Sequence, residues 1–549
     1  MSTTDGVDAT LDVRVDAADP RRARSGGAPD PVVIGVGPLR PQQVVAVARH
    51  DAPVVVDEAA LSAIADSRAV VDALAEDVTP HYGVSTGFGA LATRHIAPDQ
   101  RRQLQRSLIR SHAAGSGPEV EREVVRALML LRLSTLCTGR TGVRPVVAET
   151  YAGMLNAGIT PVVHEHGSLG CSGDLAPLAH CALALIGEGP VDDADGRRRD
   201  AADALRAAGL APVTLEEKEG LALINGTDGM LGMLLLALDD LRELLTVADV
   251  TAAMSVEGLL GTDRVFAADL QALRPQPGQA VSAATIRRVL ADSPIVASHR
   301  GPEDHRVQDA YSLRCAPQVH GGARDTVAHA AAVAANELAA AVDNPVVTPD
   351  GRVESNGNFH GAPVAYVLDF LAIVVADVAS IAERRTDRFL DASRSHGLPP
   401  FLADDPGVDS GHMIAQYTQA AIVSELKRLA APASVDSIPS SAMQEDHVSM
   451  GWSGARKLRR AVDGLTRVLA IELLTAARGI ELRAPLAPAP ATGAVIAALR
   501  EHAAGPGPDR FLAPEIEAAV ALVRAGAVRR AVESTAGPLP DRPTEEPAA

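Results

Sequence analysis

The chain has 549 residues, of which 47% are hydrophobic and only 2% aromatic, and its formal net charge is −18. A chain this acidic repels a phosphate backbone and an anionic membrane surface, so we expect neither nucleic acid nor a membrane as a partner. Its four cysteines form no C-x-x-C pair, which argues against a disulfide framework or a cysteine-based zinc site and indicates a reducing, cytoplasmic location.

Both ends of the chain are predicted to be disordered. Residues 1–30 are polar, contain glycine and proline, and follow no period. They also lack the apolar stretch of a secretory signal. Residues 536–549 have the same character. Between these tails we distinguish a loop-rich substrate region at 31–230 and a region of long helices at 231–535.

The first polar loop, HYGVSTGFGALA at 81–92, carries Tyr82 and Phe88 among glycines. Loops around a rigid scaffold carry function, so aromatic and polar side chains on such a loop indicate a site. Its GFGALA segment loosely resembles a dinucleotide-binding fingerprint. No unit of strand, turn and helix with a downstream acid surrounds it, so we expect no nucleotide here.

Three side chains of metal-ligand type, His164, Glu165 and His166, stand next to one another further along the chain. The two histidines would share a face only in a strand, and no H-E-x-x-H motif occurs. We therefore predict no metal site.

The loop GSLGCSGDLAPLAH at 167–180 gives the strongest local signal. Cys171, Ser172 and Gly173 stand directly before a predicted helix, with Asp174 as its plausible N-cap. Backbone amides and the positive end of the helix dipole favour developing negative charge there. Ser172 is not the nucleophile of a G-x-S-x-G motif, because Asp174 occupies the last glycine position.

These three residues can form an electrophile without an external cofactor. If the chain bends sharply, the Gly173 nitrogen can attack the Cys171 carbonyl carbon and close a five-membered ring, which a Cβ on Gly173 would crowd. Loss of water from that adduct and from the Ser172 side chain then leaves an imidazolone with an exocyclic methylene. The Cys171 side chain stays outside the ring, so we expect no nucleophilic role for it. A cysteine that is only a small buried residue would likewise show no nucleophilic reactivity.

Apolar residues at three- and four-residue spacing predict a bundle of long helices in the second half of the chain. The predicted helices are Thr227–Ser255, Val327–Val342, Ala362–Arg385, Ile414–Leu429 and Lys457–Ala477. Strands are predicted only in short pieces, Val54–Val56 and Thr160–Val163. The expected fold is mainly α: a large bundle of long helices with an N-terminal region of mixed helices and loops that carries the tripeptide.

Two further polar loops lie between these helices. QDAYSLR at 308–314 contains Tyr311, and SNGNFHG at 355–361 contains Phe359. Three such loops in a chain so poor in aromatic residues indicate one common site.

Together these segments resemble the aromatic amino-acid ammonia-lyase family over roughly residues 35–535. The motifs that carry the resemblance are YGVSTGFG (82–89), GSLGCSGDLAPLAH (167–180), NGT (225–227), QDAYSLR (308–314), DNP (343–345), GNFHG (357–361) and QEDHVSM (444–450). Members of this family form a 4-methylidene-imidazol-5-one (MIO) group from Ala-Ser-Gly. The resemblance therefore implies an MIO made autocatalytically from Cys171, Ser172 and Gly173, with no external cofactor. It also implies a homotetramer whose active sites combine loops from three subunits.

The resemblance assigns roles to individual residues. Ser172 supplies the methylene, and Tyr311 is the candidate base for the β-proton, with Tyr82 and Glu445 as alternatives. The residues expected to bind the substrate are His112, Asn225, Gln308, Arg314, Phe359 and Gln444. Arg314 would hold the substrate carboxylate, ideally through two hydrogen bonds.

Two positions favour L-histidine as the substrate. Ser111-His112 stands where phenylalanine lyases of the family usually have Phe-Leu and tyrosine lyases His-Leu, and Glu445 stands where both usually have Gln. A buried imidazole needs hydrogen-bonding partners, which His112 and Glu445 can supply. We expect trans-urocanate as the product, in the first step of histidine degradation. A structural histidine and a surface carboxylate are the alternatives for these two residues.

Other functions remain open at this point. A tyrosine or phenylalanine ammonia-lyase or an aminomutase of the same family would use the same tripeptide, and a catalytically silent helical scaffold is an alternative of a different class. The chain also departs from the family pattern at two positions. Cys171 replaces the commoner alanine, which leaves ring closure unaffected, and Met443 stands where asparagine is more usual, which could alter the pocket wall.

Overall fold

The computed structural model describes residues 29–77, 81, 83–87, 94–301 and 307–541. Its helices are α1 (Pro41–His50), α2 (Glu58–Glu76), α3 (Arg101–His112), α4 (Arg122–Cys137), α5 (Pro145–Asn156), α6 (Leu175–Leu185), α7 (Ala201–Ala207), α8 (Glu219–Ile224), α9 (Asp228–Gly258), α10 (Ala268–Ala272), α11 (Pro277–Val289), α12 (Pro294–Ala297), α13 (Tyr311–Arg314), α14 (Ala316–Leu338), α15 (Ala362–Leu390), α16 (Met413–Leu429), α17 (Gly451–Glu481), α18 (Pro490–Arg500), α19 (Ala513–Arg524) and α20 (Ala527–Ala536). Its strands are β1 (Val32–Ile34), β2 (Val54–Val56), β3 (Ser116–Glu119), β4 (Thr160–Pro161), β5 (His164–His166), β6 (Pro190–Asp192), β7 (Arg198–Asp200), β8 (Val346–Val347) and β9 (Val353–Glu354). The mainly α fold predicted from the sequence is confirmed.

Five long helices, α9, α14, α15, α16 and α17, form the centre of the molecule. The helix α15 packs against each of the other four. Both α9 and α17 have 31 residues and therefore span about 46 Å. The predicted helices are confirmed, although α14 begins eleven residues before its expected start. Helices of this length place the two ends of the bundle far apart. Residues at opposite ends of one chain therefore cannot be in contact.

The helix α15 is long and apolar enough to cross a membrane, but 61% of its most apolar window is buried within the protein. Its Asp369 is buried and ion-paired with Lys457 of α17. We therefore describe α15 as the core helix of the bundle.

A buried ion pair marks one end of the bundle. Arg385 of α15 and Glu472 of α17 are both fully buried and hydrogen-bonded to each other. Glu472 also accepts a hydrogen bond from Ser255, near the C-terminus of α9, at 2.9 Å. Because each buried charge has a partner, the pair fixes the relative position of three helices at this end.

Short strands join the remaining helices in the first half of the chain. The parallel pair β1–β2 aligns Val32 with Val54, so the predicted strand Val54–Val56 is confirmed. The other predicted strand is shorter than expected, since only Thr160–Pro161 pairs. The antiparallel pair β3–β5 leads directly into the loop that carries the tripeptide.

The division of the chain into four segments stays a prediction. The described residues contain one continuous helix, α9, across the expected boundary at 230. Most of the two expected tails, residues 1–28 and 542–549, lies outside the described residues.

Candidate active site

The tripeptide Cys171-Ser172-Gly173 lies in the loop between β5 and α6, where the backbone turns sharply. Gly173 has φ +75°, in the left-handed region that favours glycine. It is bridged to Gly226, and a Cβ on Gly173 would lie 2.0 Å from the Gly226 carbonyl oxygen. The fold therefore requires glycine at the position whose nitrogen would close the ring.

Asp174 does not cap the helix that follows it, so the predicted N-cap is wrong. Its side chain makes no capping hydrogen bond to α6. Instead Oδ2 accepts hydrogen bonds from the backbone N–H groups of Gly229 and Met230, both at 2.9 Å, in the first turn of α9. The carboxyl group thus joins the tripeptide loop to the start of the central bundle. Burial raises the pKa of Asp174 to about 7, although these hydrogen bonds and one from Ser168 oppose the rise.

Two other loops are tied to the tripeptide loop by hydrogen bonds to its backbone carbonyl oxygens. The Gly170 carbonyl oxygen accepts hydrogen bonds from Ser449 Oγ at 2.6 Å and from Gly361 N at 3.2 Å. The Leu169 carbonyl oxygen accepts from Met450 N at 2.8 Å. These contacts bring the GNFHG and QEDHVSM segments to the tripeptide, as the sequence predicts for a common site.

Glu445 is in direct contact with the tripeptide. Its Oε2 accepts hydrogen bonds from Cys171 Sγ and Ser440 Oγ, each at 3.0 Å, and its Oε1 accepts from Ser172 Oγ at 3.3 Å. A surface carboxylate would not be held in this way. The structure therefore places the Glu445 carboxylate against the side chains of Cys171 and Ser172.

The loop before Glu445 has an unusual backbone. Ser441, Ala442 and Met443 all have positive φ values, of 54°, 54° and 69°. Left-handed conformations cost non-glycine residues free energy and tend to occur at functional sites. Asparagine tolerates this region better than methionine, so Met443 is the departure from the family pattern with a clear local cost.

His112 is the last residue of α3 and is partly buried. Its Nδ1 donates a hydrogen bond to the Leu108 carbonyl oxygen at 2.9 Å. Burial lowers the pKa of His112, although that hydrogen bond and the negative charge of Glu445 partly offset the change. The ring is therefore held neutral with Nδ1–H as donor, which leaves Nε2 as an acceptor.

Asn225 lies beside Gly226, on the segment bridged to the tripeptide loop. Its Nδ2 donates to the Asn344 carbonyl oxygen at 2.9 Å, while its buried Oδ1 has no hydrogen-bond partner among the residues that the structure describes. A buried acceptor without a partner is costly and points to a ligand. The Asn225 carbonyl oxygen accepts from the fully buried Arg132 at 3.0 Å, which fixes the segment.

Tyr311 and Arg314 lie far from the tripeptide of the same chain. They form the single turn α13, and the Arg314 Cζ lies 4.7 Å from the centre of the Tyr311 ring. The Ser312 carbonyl oxygen accepts from Arg385, which belongs to the ion pair at the C-terminal end of α9. Along α9, that end lies about 39 Å from the first turn that Asp174 caps. One chain therefore cannot bring Tyr311 to Ser172.

The remaining predicted site residues that the structure describes lie either near the tripeptide or near Tyr311. Phe359 is half-buried in the loop tied to Gly170, and Gln444 is exposed next to Glu445. Gln308 is exposed at the other end of the bundle, three residues before Tyr311. Tyr82 and Phe88 lie outside the described residues.

The His164, Glu165 and His166 segment forms the strand β5, with alternate side chains on opposite faces. Glu165 is buried and ion-paired with Arg460, whereas His166 is exposed. Among the residues that the structure describes, no cluster of three or more His, Cys, Asp or Glu side chains could hold a metal ion.

Sequence reasoning missed several residues that position the site. Ser440 and Ser449 hold Glu445 and Gly170, and serines in polar loops give no signal of their own. Arg132 was detectable, because it is a charged residue within the otherwise apolar stretch LMLLRLSTLC of α4. A charge in such a stretch must be paired inside the protein.

Known proteins resemble this chain over most of its length. The model of the aromatic amino acid lyase family matches residues 39–501. The chain is 68% identical over 511 residues to a histidine ammonia-lyase of Streptomyces griseus, covering 92% of this chain and 99% of the relative. A solved tyrosine aminomutase from Streptomyces globisporus matches with a TM-score of 0.87 at 37% identity, covering 92% of this chain and 99% of that one. A histidine ammonia-lyase from Trypanosoma cruzi matches with a TM-score of 0.84 at 39% identity, covering 92% and 95% of the two chains. The chain therefore belongs to the aromatic amino acid lyase family.

Proposed function

We propose that the chain eliminates ammonia from L-histidine to give trans-urocanate. The observation that carries this proposal is Glu445, which contacts Cys171 and Ser172 directly and whose negative charge partly offsets the lowered pKa of the partly buried His112. The relatives from Streptomyces griseus and Trypanosoma cruzi, both histidine ammonia-lyases, support the same substrate.

The chemistry of the two side chains fits an imidazole. His112 Nε2 and the Glu445 carboxylate are both acceptors, and the protonated imidazole of histidine, with an N–H on each ring nitrogen, can donate to both. A phenyl ring has no donor and a phenol has one, so phenylalanine and tyrosine would leave at least one acceptor unpaired. An unpaired buried acceptor costs about 1–3 kcal/mol, which is enough to discriminate between substrates.

The tripeptide fits the MIO group implied by the family resemblance. Gly173 adopts the left-handed turn that ring closure needs, and the Gly226 carbonyl leaves no room for a Cβ. The Ser172 hydroxyl, which would leave as water, is held by Glu445. When formed, the group supplies an electrophilic methylene that makes the α-amino group of the substrate a better leaving group.

Other side chains at this end of the bundle bind and orient the substrate. Asn225 offers its unpartnered Oδ1 as an acceptor, and Phe359 packs against the substrate or the prosthetic ring. Gln444 adds a polar group next to Glu445. Tyr82, which lies outside the described residues, stays a predicted catalytic residue.

A second copy of the chain completes the site with Tyr311 as the base and with Arg314 and Gln308 as carboxylate and orienting groups. Two copies that pack about a two-fold axis can lie antiparallel, so that one copy's α13 end meets the other's tripeptide end. The apolar residues Tyr366 and Phe370, one turn apart on α15, are exposed and suit such a contact. This contact supports sites shared between subunits, and the homotetramer that we propose follows from the family resemblance.

The free state of all four cysteines supports a reducing compartment, and we place the enzyme in the cytoplasm. The cysteines are buried or half-buried within the described fold rather than paired.

An aminomutase is the second candidate, because a tyrosine aminomutase shares the fold at 37% identity. The experiment that separates the candidates offers L-histidine, L-tyrosine and L-phenylalanine to the purified enzyme and follows the absorbance of the unsaturated acid together with ammonia release. We expect turnover of L-histidine with equal amounts of urocanate and ammonia. A β-amino acid without net ammonia would identify an aminomutase, and preferred turnover of L-tyrosine or L-phenylalanine would overturn the assignment of His112 and Glu445.

A further inference from the structure

The Cys171 side chain makes a contact that ring formation does not need. Only the backbone of Cys171 enters the ring, yet its buried thiol donates a hydrogen bond to Glu445 Oε2 at 3.0 Å. Cys137 and Cys181 are also buried, but they lie within the apolar core of α4 and α6. Among the three buried cysteines of the described fold, only Cys171 donates a hydrogen bond to a carboxylate.

The hydrogen bonds of Glu445 divide between its two oxygens. Within the described part of the chain, Oε2 accepts from Cys171 and from Ser440, whereas Oε1 accepts only from Ser172, at 3.3 Å. If the MIO forms as proposed, the Ser172 hydroxyl leaves as water and Oε1 loses its donor. The carboxylate would then be held by Oε2, with Oε1 free for the substrate.

We propose that Cys171 is a positioning residue for ammonia elimination, whose thiol holds the Glu445 carboxylate by Oε2 so that Oε1 faces the substrate. This inference rests on the proposed function. Alanine, the commoner residue at this position in the family, has no donor and leaves the carboxylate to Ser440. Cys171 thus provides Glu445 Oε2 with a second hydrogen-bond donor besides Ser440.

The surroundings keep the thiol in the form that this role needs. Burial, followed by the hydrogen bond to Glu445, raises the pKa of Cys171 to about 12, so the group stays a protonated donor near neutral pH. A donor to a carboxylate favours the ionised form. Loss of the thiol should therefore raise the lower pH limit of the range in which the enzyme is active.

The test compares Cys171→Ala, Cys171→Ser and the control Cys181→Ala, which removes a buried thiol elsewhere. Intact mass first establishes that each variant has lost two water molecules, and urocanate release by the unaltered enzyme establishes the reaction. The acid limb of log(kcat/KM) against pH is then measured. We expect Cys171→Ala to move its midpoint upward by about 0.5 to 1 unit, because a hydrogen bond to the charged form is lost.

Cys171→Ser keeps a donor and should restore the profile of the unaltered enzyme, while Cys181→Ala should leave that profile in place. A Cys171→Ala profile that superimposes on the Cys181→Ala profile would overturn the proposal. So would a serine variant that behaves like the alanine variant, since the role depends on a donor.

A second measurement does not depend on turnover. The S–H stretching band of Cys171 is obtained from the infrared difference between the unaltered protein and Cys171→Ala. We expect Glu445→Gln to move this band to higher frequency, because a carboxylate is the stronger acceptor. An unmoved band would contradict the contact itself. A moved band in a protein that releases no urocanate would keep the contact and reject the proposed function.

Discussion

Gly173 is bridged to Gly226, and a Cβ on Gly173 would lie 2.0 Å from the Gly226 carbonyl oxygen. Real Cβ atoms do not approach backbone oxygens so closely, so the two segments would have to separate. The turn that permits ring closure and the segment that carries Asn225 therefore depend on each other.

Gly173→Ala should prevent maturation. The new Cβ conflicts with Gly226 and with the left-handed φ of +75°, so the Gly173 nitrogen would no longer approach the Cys171 carbonyl. Intact mass should show a chain that retains both water molecules, and ammonia release should be lost. Gly196→Ala is the matched control, because Gly196 has φ +77° but open space around it. Loss of maturation in both variants would show that backbone strain, rather than the contact with Gly226, is responsible.

Glu445→Gln should lower kcat/KM for L-histidine by roughly 100-fold or more, the usual effect of losing a group that handles a proton in the transition state. The amide retains the size of the side chain but is a weaker acceptor and a poor base. Steady-state rates of urocanate formation provide the measurement. The exposed neighbour Asp446 offers the control, since Asp446→Asn removes a carboxylate that the structure does not direct at the tripeptide. Equal effects of the two substitutions would mean that only the local charge matters.

Two inactive variants should restore activity to each other if the site is shared between copies. Ser172 and Tyr311 lie at opposite ends of one chain, so the proposed site would use Ser172 of one copy and Tyr311 of another. Coexpression of Ser172→Ala and Tyr311→Phe chains, each with its own affinity tag, yields hybrids that can be isolated. Random mixing should make about a quarter of the sites intact, because each site needs two unaltered contributions. Hybrids no more active than either parent would indicate that both residues act within one chain.

The stability of the folded chain should fall as the pH drops below 6.5, partly because of His412. Burial, with Arg478 and Arg510, lowers the pKa of His412 to about 3. The unfolded chain binds a proton at His412 near pH 6.5, whereas the folded chain does not until far lower pH. Stability is therefore present above pH 6.5 and is lost by up to about 1.4 kcal/mol per pH unit below it.

His412→Gln provides the measurement for this pH effect. The glutamine side chain does not titrate. As the pH falls from 6.5 to 4.5, the free energy of unfolding of the variant should therefore rise relative to that of the unaltered protein. Urea unfolding at several pH values gives the difference. A difference that stays constant over this range would show that His412 protonates equally in both states.

Local sequence patterns predicted the elements of this fold well. Apolar residues at helical spacing located α9 and α15, since a long helix in a bundle must bury one face or more. Polar loops with aromatic residues located the segments around Phe359 and Tyr311. These signals are local, because each is contained in one short stretch of chain.

Tertiary relationships could not be predicted in the same way. Asp174 looked like the cap of the adjacent helix, yet it caps α9 from 55 residues away in sequence. A capping residue accepts from whichever orphan N–H groups are nearest in space, which the sequence does not reveal. Nor does any local pattern show that Tyr311 and Ser172 lie at opposite ends of the bundle. That separation follows from the length and direction of α9.

The most direct test of this account combines intact mass with product formation for the unaltered enzyme and Ser172→Ala. The account predicts that the unaltered chain is lighter than its sequence by two water molecules and converts L-histidine to urocanate and ammonia. Ser172→Ala cannot form the methylene, so its turnover should fall by several orders of magnitude. A Ser172→Ala variant with near-normal turnover of L-histidine, or an active enzyme with the full mass of its sequence, would contradict it.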